Sequence, residues 1–120
     1  MKIAVTSMGT NLDSAVDERF GRARYIILVD LESEELEVID NEKNMEAMQG
    51  AGIQTAQEVS QRGAGWVLTG HVGPKAFQAL KKARVKVGTG VTGTVRETLR
   101  SYKNGDFTEV MESDVQGGRK

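Results

Sequence analysis

The stretch that decides the fold is WVLTGHVGPKAFQAL, residues 66–80. Its first part, WVLTG, is a short apolar run that is typical of a buried strand. From Pro74 onward the apolar side chains recur every three or four residues, which predicts a helix. A proline suits the first helical turn because its missing N–H is not needed there. A strand that passes through a glycine-containing turn into a helix is the repeating unit of an α/β sheet.

The chain on either side of this stretch continues the alternation of strands and helices. The last predicted helix opens with TVRE, residues 94–97, which is a capping-box sequence. The methionine-bearing segment 41–52 is predicted to be a loop. The predicted strands are 2–6, 25–31, 36–40, 66–70 and 85–87, and the predicted helices begin near residues 53, 74 and 94.

This order of elements, β-β-β-α-β-α-β-α, limits the topology. The two strand–helix–strand crossovers imply parallel neighbours with right-handed connections, and the short break between the second and third strands predicts an antiparallel hairpin. We therefore predict an α/β fold, a three-layer sandwich in which a mixed five-stranded sheet of order 3-2-1-4-5 carries helices on both faces. The crevice between strands 1 and 4 is then the topological switch point, where ligands usually bind.

Length and composition set the broad class. We expect residues 1–110 to form one domain and residues 111–120 a flexible tail. The net charge of -1 gives no overall basic field for nucleic acid. The absence of cysteine excludes disulfides, thiolate-held zinc and cysteine-held iron–sulfur clusters. Because no segment has the pattern of a signal peptide or a membrane span, we expect a cytoplasmic monomer without a membrane partner.

Three segments rich in Gly, Ser and Thr follow the carboxyl ends of the predicted parallel strands: SMGTN at 7–11, GHVGP at 70–74 and GTGVTG at 88–93. The last two run directly into helix N-termini, where free N–H groups and the helix dipole favour an anion. Such turns also carry glycine when they bind nothing. Their convergence on one crevice nevertheless predicts an anion-binding site.

Charged and soft side chains near these turns extend the prediction, each with an alternative. The cluster containing Arg19 and Arg22 either holds an anion through its guanidinium groups or is a solvated face neutralised by neighbouring acids. His71, the single histidine, either contacts an anionic or metal-containing ligand or simply contacts the helix N-terminus. Met8 is either a soft ligand suited to copper(I) or a filler of a gap. We expect Phe20 to plug the core.

Three runs of the chain resemble the nitrogenase iron–molybdenum cofactor-binding family: VDERFGRARYIILVD at 16–30, GAGIQTAQ at 50–57 and GAGWVLTGHVGPKAFQAL at 63–80. The resemblance spans roughly residues 1–110 and implies a ribonuclease H-like sheet. It also implies non-enzymatic, non-covalent binding, assembly or carriage of an anionic metal–sulfur cluster. The chain is most similar to a branch that binds a molybdenum–copper sulfide cluster; an iron–molybdenum type is the other possibility. Such a cluster brings its own sulfide, so the missing cysteines are compatible with it.

The resemblance also implies which residues form the site. The glycine–histidine turn of the family corresponds to Gly70 and His71, and its arginine–phenylalanine–glycine–arginine run corresponds to residues 19–22. We expect His71 and Met8 to lie closest to the metals. The loop 41–52 has Met45 and Met48 where some members have cysteine or histidine, which leaves the cluster type open. The full set of expected cluster-binding residues is Ser7, Met8, Gly9, Thr10, Asn11, Arg19, Phe20, Gly21, Arg22, Gly70, His71, Val72, Gly73, Thr89 and Gly90.

Two other functions compete with this one. A binding module for a phosphate-bearing metabolite would use the same glycine turns, although no GxGxxG follows the first strand. A ribonuclease H-like metal-dependent enzyme would need several carboxylates on the sheet, and the first strand has none. We expect no enzymatic activity, and we expect a cytoplasmic protein partner that donates or accepts the cluster.

Overall fold

A mixed six-stranded sheet with the order β3-β2-β1-β4-β5-β6 organises the computed structural model, which describes residues 1–111. Apart from residue 111, the tail predicted at 111–120 lies outside the described residues. The strands are β1 (Lys2–Ser7), β2 (Tyr25–Asp30), β3 (Leu36–Asp40), β4 (Ala64–Leu68), β5 (Lys86–Thr89) and β6 (Thr108–Glu109). The helices are α1 (Glu42–Met45), α2 (Ala51–Gln61), α3 (Pro74–Lys82) and α4 (Val95–Asn104).

The pairing of the strands confirms the predicted mixed α/β sheet. β4 is parallel to both β1 and β5, as the crossovers required, while β2 is antiparallel to β1 and to β3. The predicted order of the first five strands is correct. The sixth strand was not predicted, because its two residues are too few to show a period; they pair antiparallel with Gly88 and Thr89 of β5.

The sheet has a hydrophobic core on each face. Alternate residues of β2 point to opposite faces, so Ile26 and Leu28 join the core under α2 and α3 while Ile27 and Val29 join the core under α4. All four are buried, which explains why β2 reads as an unbroken apolar run. The core under α2 and α3 also contains Phe77, so these two helices share one face of the sheet.

One feature of the helices differs from the sequence-based prediction, and another confirms it. The segment predicted as a loop contains α1, which has no buried residue and therefore no apolar period that could be detected. The capping box of α4 is confirmed: the Thr94 side chain accepts from the Glu97 amide at 3.1 Å, and the Glu97 carboxylate accepts from the Thr94 amide at 2.8 Å. Within residues 1–111 no helix combines the length and apolar character needed to cross a membrane.

Candidate functional site

A cavity of about 550 Å³ opens beside the carboxyl end of β4. Three segments form it: the loop 19–22 after β1, the first turn of α2, and the turn from β4 into α3. Its lining residues are Arg19, Phe20, Gly21, Arg22, Gly50, Ala51, Gly52, Ile53, His71, Gly73, Pro74, Lys75 and Ala76.

Two helix N-termini meet at this cavity. α2 begins after Gly50 and α3 after Gly73, and neither cap residue makes a side-chain cap hydrogen bond. In the described chain, residues 1–111, no acceptor is found for the backbone N–H groups of residues 51–53 or of residues 75 and 76. Five donors and two positive dipole ends therefore line one cavity, and this arrangement favours an anion.

Small residues allow the three segments to approach each other closely. A β-carbon on Gly21 would lie 2.7 Å from the backbone nitrogen of Gly52, and a β-carbon on Gly52 would lie 2.9 Å from the β-carbon of Ala76. The loop 19–22, α2 and α3 can therefore touch only while Gly21 and Gly52 lack side chains. Gly52 and Ala76 are not among the predicted site residues, although the GAG run at 50–52 is a signal for the first of them.

Gly70 has a comparable role just behind the lining of the cavity. A β-carbon there would lie 2.5 Å from the β-carbon of Glu18, so only glycine admits the passing chain. The His71 amide donates to the Glu18 carbonyl at 3.0 Å, and Arg19 and His71 form a parallel bridge. This local pairing places both exposed side chains at the cavity, where they can contact one ligand.

The charges of the lining residues are one-sided. Arg19, Arg22, Lys75 and His71 line the cavity, and no aspartate or glutamate among residues 1–111 does. Buried Asp17 orients Arg19 from behind through contacts of 3.3 Å (Nε–Oδ1) and 3.4 Å (Nη2–Oδ2), which leave the Arg19 side chain 62% exposed. The cavity therefore has an excess of positive charge.

Arg22 has a structural role beside its place in the lining. Its Nη1 atom donates to the carbonyl oxygens of Met45 and Ala47, at 2.5 and 2.8 Å. These bonds secure the turn that leads from α1 to the N-terminus of α2. The remaining guanidinium N–H groups are available to a ligand. Met48, in the same connection, is 94% exposed.

The expected site residues divide into two groups. Arg19, Phe20, Gly21, Arg22, His71 and Gly73 line the cavity, whereas Ser7, Met8, Gly9, Thr10, Asn11, Gly70, Val72, Thr89 and Gly90 do not. Gly70 and Val72 lie just behind it, and Val72 is part of the core. Met8 is 62% exposed in the loop after β1, outside the cavity that His71 lines.

Residues 7–15, at the start of the loop between β1 and β2, turn toward α4 and not toward the cavity. The Ser7 hydroxyl bonds the backbone of Gly9, and further along the loop Ala15 forms a bridge with Thr94. Thr89 pairs with Thr108 in the sheet, and Gly90 follows it with a φ of 79°. These residues therefore make contacts within the fold and do not line the cavity.

The N-terminus of α4 corrects one expectation directly. The Val95 amide donates to the Ser14 carbonyl at 2.9 Å, and the Arg96 amide donates to the Leu12 carbonyl at 2.8 Å. The prediction that segment 88–93 leads to free helix N–H groups is therefore wrong. The second helix N-terminus at the cavity belongs to α2.

The donor set of the cavity suits a preformed anion better than a bare metal ion. Among residues 1–111 no group of three or more His, Asp or Glu side chains could hold a metal ion. His71 is the one ring nitrogen donor in the lining, beside N–H groups and cationic side chains. A ligand that carries its own negative charge matches such donors.

The chain is similar to known proteins over most of its length. The sequence profile of the dinitrogenase iron-molybdenum cofactor family matches residues 1–105. The apo form of the orange protein from Desulfovibrio gigas is 43% identical to this chain, with a TM-score of 0.89 over 92% of this chain and 93% of that one.

Two further relatives extend the similarity. A Thermotoga protein assigned to NifB, whose structure was determined by NMR, is 35% identical with a TM-score of 0.80 and covers 90% of this chain and 91% of its own. An uncharacterized protein of Methanocaldococcus jannaschii is 23% identical over 109 residues, which are 88% of this chain and 92% of that protein.

Proposed function

Because this chain belongs to the dinitrogenase iron-molybdenum cofactor family, we propose that it binds an anionic metal–sulfur cluster non-covalently in the cavity between α2 and α3. Family membership confirms the predicted resemblance. The observation that carries the proposal is the convergence of two uncapped helix N-termini on a cavity that no carboxylate of the described part of the chain lines. A family named for such a cofactor and a donor set that favours anions point to the same class of ligand.

Different residues of the cavity contact different parts of the cluster. The free amides of α2 and α3 donate to its sulfides, and Arg19 and Lys75 offset its negative charge. His71 offers a ring nitrogen to a metal at the rim. The cluster supplies its own sulfide, so the protein needs no thiolate.

The finer identity of the cluster is part of the proposal. Similarity to the branch described in the sequence analysis favours a molybdenum–copper sulfide cluster. The chain then acts as a carrier or scaffold and not as an enzyme, and a protein partner delivers or removes the cluster. The cavity has no carboxylate from the described residues, which supports this role over a ribonuclease H-like activity that needs carboxylates to hold two metal ions.

A phosphate-bearing metabolite is the second candidate for the same cavity, since free amides at helix N-termini also suit phosphate. Competition separates the two candidates. Inorganic phosphate at millimolar concentration should not displace tetrathiomolybdate from the protein if a metal–sulfur cluster is the true ligand. Displacement by phosphate would favour the metabolite.

A substitution that fills the cavity provides the test. A β-carbon on Gly73 would have no atom within 4 Å, and its φ of -76° suits any residue. We expect Gly73→Val to fold normally and to weaken binding of tetrathiomolybdate and copper(I) at least about ten-fold, a loss of about 1.4 kcal/mol. The measurement is an optical titration of the charge-transfer band.

The matched control is Thr92→Val, which places the same valine at an exposed position outside the cavity, where threonine already has a side chain of that shape. Its affinity should equal that of the unaltered protein. Equal binding by both variants would place the ligand elsewhere and refute the proposal. Circular dichroism of both variants verifies that they are folded.

A further inference from the structure

The cations of this chain are distributed unevenly. Residues 74–86 contain Lys75, Lys81, Lys82, Arg84 and Lys86 but no aspartate or glutamate, although the net charge of the chain is -1. Within the described residues 1–111 none of these five cations forms an ion pair, whereas the ion pairs that do occur use arginines outside this segment. α3 and the turn after it are therefore a surface of uncompensated positive charge.

A groove runs along this surface between the exposed sides of α2 and α3. Its volume is about 710 Å³, and Ile53, Ala79 and Ala83 provide apolar surface in it. Lys75 and Lys82 also line the groove, and its remaining lining residues are uncharged. The groove thus combines an apolar floor with positive charge, and no carboxylate from residues 1–111 lines it.

The groove is continuous with the cavity in which we propose that the cluster binds. Ile53, Pro74 and Lys75 line both. A molecule seated in the groove would therefore reach the mouth of the cavity without any rearrangement of α2 or α3.

We propose that this groove is the docking surface for an acidic amphipathic helix of a partner protein. Lys75 and Lys82 are seven residues apart on α3, which places them on one side of the helix about 10.5 Å apart. Two carboxylates with the same spacing on a partner helix would face both lysines. An apolar stripe between them would lie on Ile53 and Ala79, as in other complexes that seat a helix in a groove.

A protein segment matches the groove better than nucleic acid does. No aromatic side chain of the residues that the structure describes lines the groove, so bases would find no stacking surface. Apolar atoms of the floor would face a phosphate backbone that they cannot bind. Two lysines of the described residues line the groove. They are too few for the many phosphate contacts on which nucleic-acid affinity depends.

The position of the groove suggests what docking accomplishes. A partner helix that contacts Lys75 would cover the mouth of the cavity and shield it from water. Cluster delivery or removal would then occur inside the complex. This last step rests on the proposed function, whereas docking itself does not.

The test uses a model peptide of about 18 residues, long enough for five helical turns, with a leucine stripe and glutamates seven residues apart. Titrated into labelled full-length protein, it should shift the amides of residues 53–60 and 75–83. A peptide with glutamine for glutamate should bind at least about five-fold more weakly, since two exposed ion pairs together contribute about 1 kcal/mol.

Variants of the protein complete the design. Lys75→Gln/Lys82→Gln should weaken binding of the acidic peptide by the same factor of about five. Arg100→Gln/Lys103→Gln removes the same charge from α4 and should leave the affinity unchanged. α4 lies on the opposite face of the sheet.

Three results would overturn the docking proposal: no amide shifts in the groove, equal affinity for the glutamate and glutamine peptides, or tighter binding of a DNA duplex of about 20 base pairs. The experiment contains no metal. Its failure would leave the cluster proposal intact, and a failure of cluster binding would leave the docking surface intact.

Discussion

At the scale of single residues, the site depends on positions where a side chain is absent. Gly21 and Gly52 let the loop 19–22 contact α2, and Gly52 lets α2 contact Ala76 of α3. Gly73 is different, because a β-carbon there would meet only open space. Of these three glycines, two therefore serve packing, while Gly73 leaves room in the cavity.

This difference gives a stability prediction. Gly21→Ala would force its β-carbon to within 2.7 Å of the Gly52 backbone, and backbone cannot move aside cheaply. We expect the free energy of unfolding to fall by about 1–3 kcal/mol, as in other overpacked sites. For Gly73→Ala we expect a change within about 0.5 kcal/mol. Urea unfolding measures both, and equal effects of the two substitutions would contradict the packing described here.

Residue patterns also show what a sequence can reveal about the site. The apolar period after Pro74 and the GHVGP turn identify one wall of the cavity, because both are local features. The contact between Gly21 and Gly52 joins residues that are far apart in the chain. No local pattern encodes that contact. The sequence therefore does not predict that α2 forms a second wall of the cavity, although the GAG run at its start belongs to the family resemblance.

At the scale of elements, the hairpin of β2 and β3 is joined at its end by an ion pair. Arg24 donates to both carboxylate oxygens of Asp40 at 3.2 Å. The hydrogen bond from Arg24, followed by that from the Glu42 amide, lowers the pKa of Asp40. A lowered pKa in the folded state means that the stabilisation is present at neutral pH. It is lost as the pH falls through the folded pKa of Asp40.

The Arg24→Gln substitution tests this linkage. We expect the pKa of Asp40 to rise toward its usual range, as measured by NMR titration of the carboxyl carbon. Asp30 is the internal control, because its pKa is lowered mainly by hydrogen bonds from the Glu32 and Ser33 amides. An unchanged pKa of Asp40, or an equal rise at Asp30, would show that Arg24 is not the cause.

α4 contains a position where we expect a substitution to preserve or raise the stability of the fold. The Thr98 hydroxyl is buried, and no hydrogen-bond partner is found for it among residues 1–111. Thr98→Val removes this hydroxyl, so we expect the free energy of unfolding to stay equal or to increase by up to about 1 kcal/mol. Thermal unfolding measures the change. A clear loss of stability would mean that the hydroxyl has a partner in solution.

The helices and strands differ in how well they can be predicted from the sequence. α2, α3 and α4 have enough residues for a period and carry clear end signals, and the α4 capping box was predicted residue by residue. α1 and β6 have four and two residues, so neither shows a period. The capping of α4 by carbonyls of Leu12 and Ser14 is a long-range contact, and only the structure could reveal it.

At the scale of the whole molecule, topology explains the location of the site. Crossover rules restrict β1, β4 and β5 to parallel neighbours, so the order of the first five strands followed from the sequence. Those rules do not say which helix N-termini meet. α2 and α3 lie on the same face of the sheet, and their N-termini therefore converge, whereas α4 lies on the other face.

The distribution of charge belongs to the same scale. Uncompensated cations gather on α3, next to the cavity, while the chain as a whole is nearly neutral. An anionic ligand and an acidic partner would thus be attracted to adjacent parts of one face. Attraction of this kind raises association rates at low salt.

The most direct test of the central claim is a map of amide shifts on binding. Labelled protein is titrated with tetrathiomolybdate and then with a copper(I) salt. We predict that the largest shifts occur at residues 19–22, 50–53 and 71–76, and that residues 7–11 and the first turn of α4 change little. Shifts centred on residues 7–11 and 94–97, with none at 50–53, would contradict a site formed by the N-termini of α2 and α3.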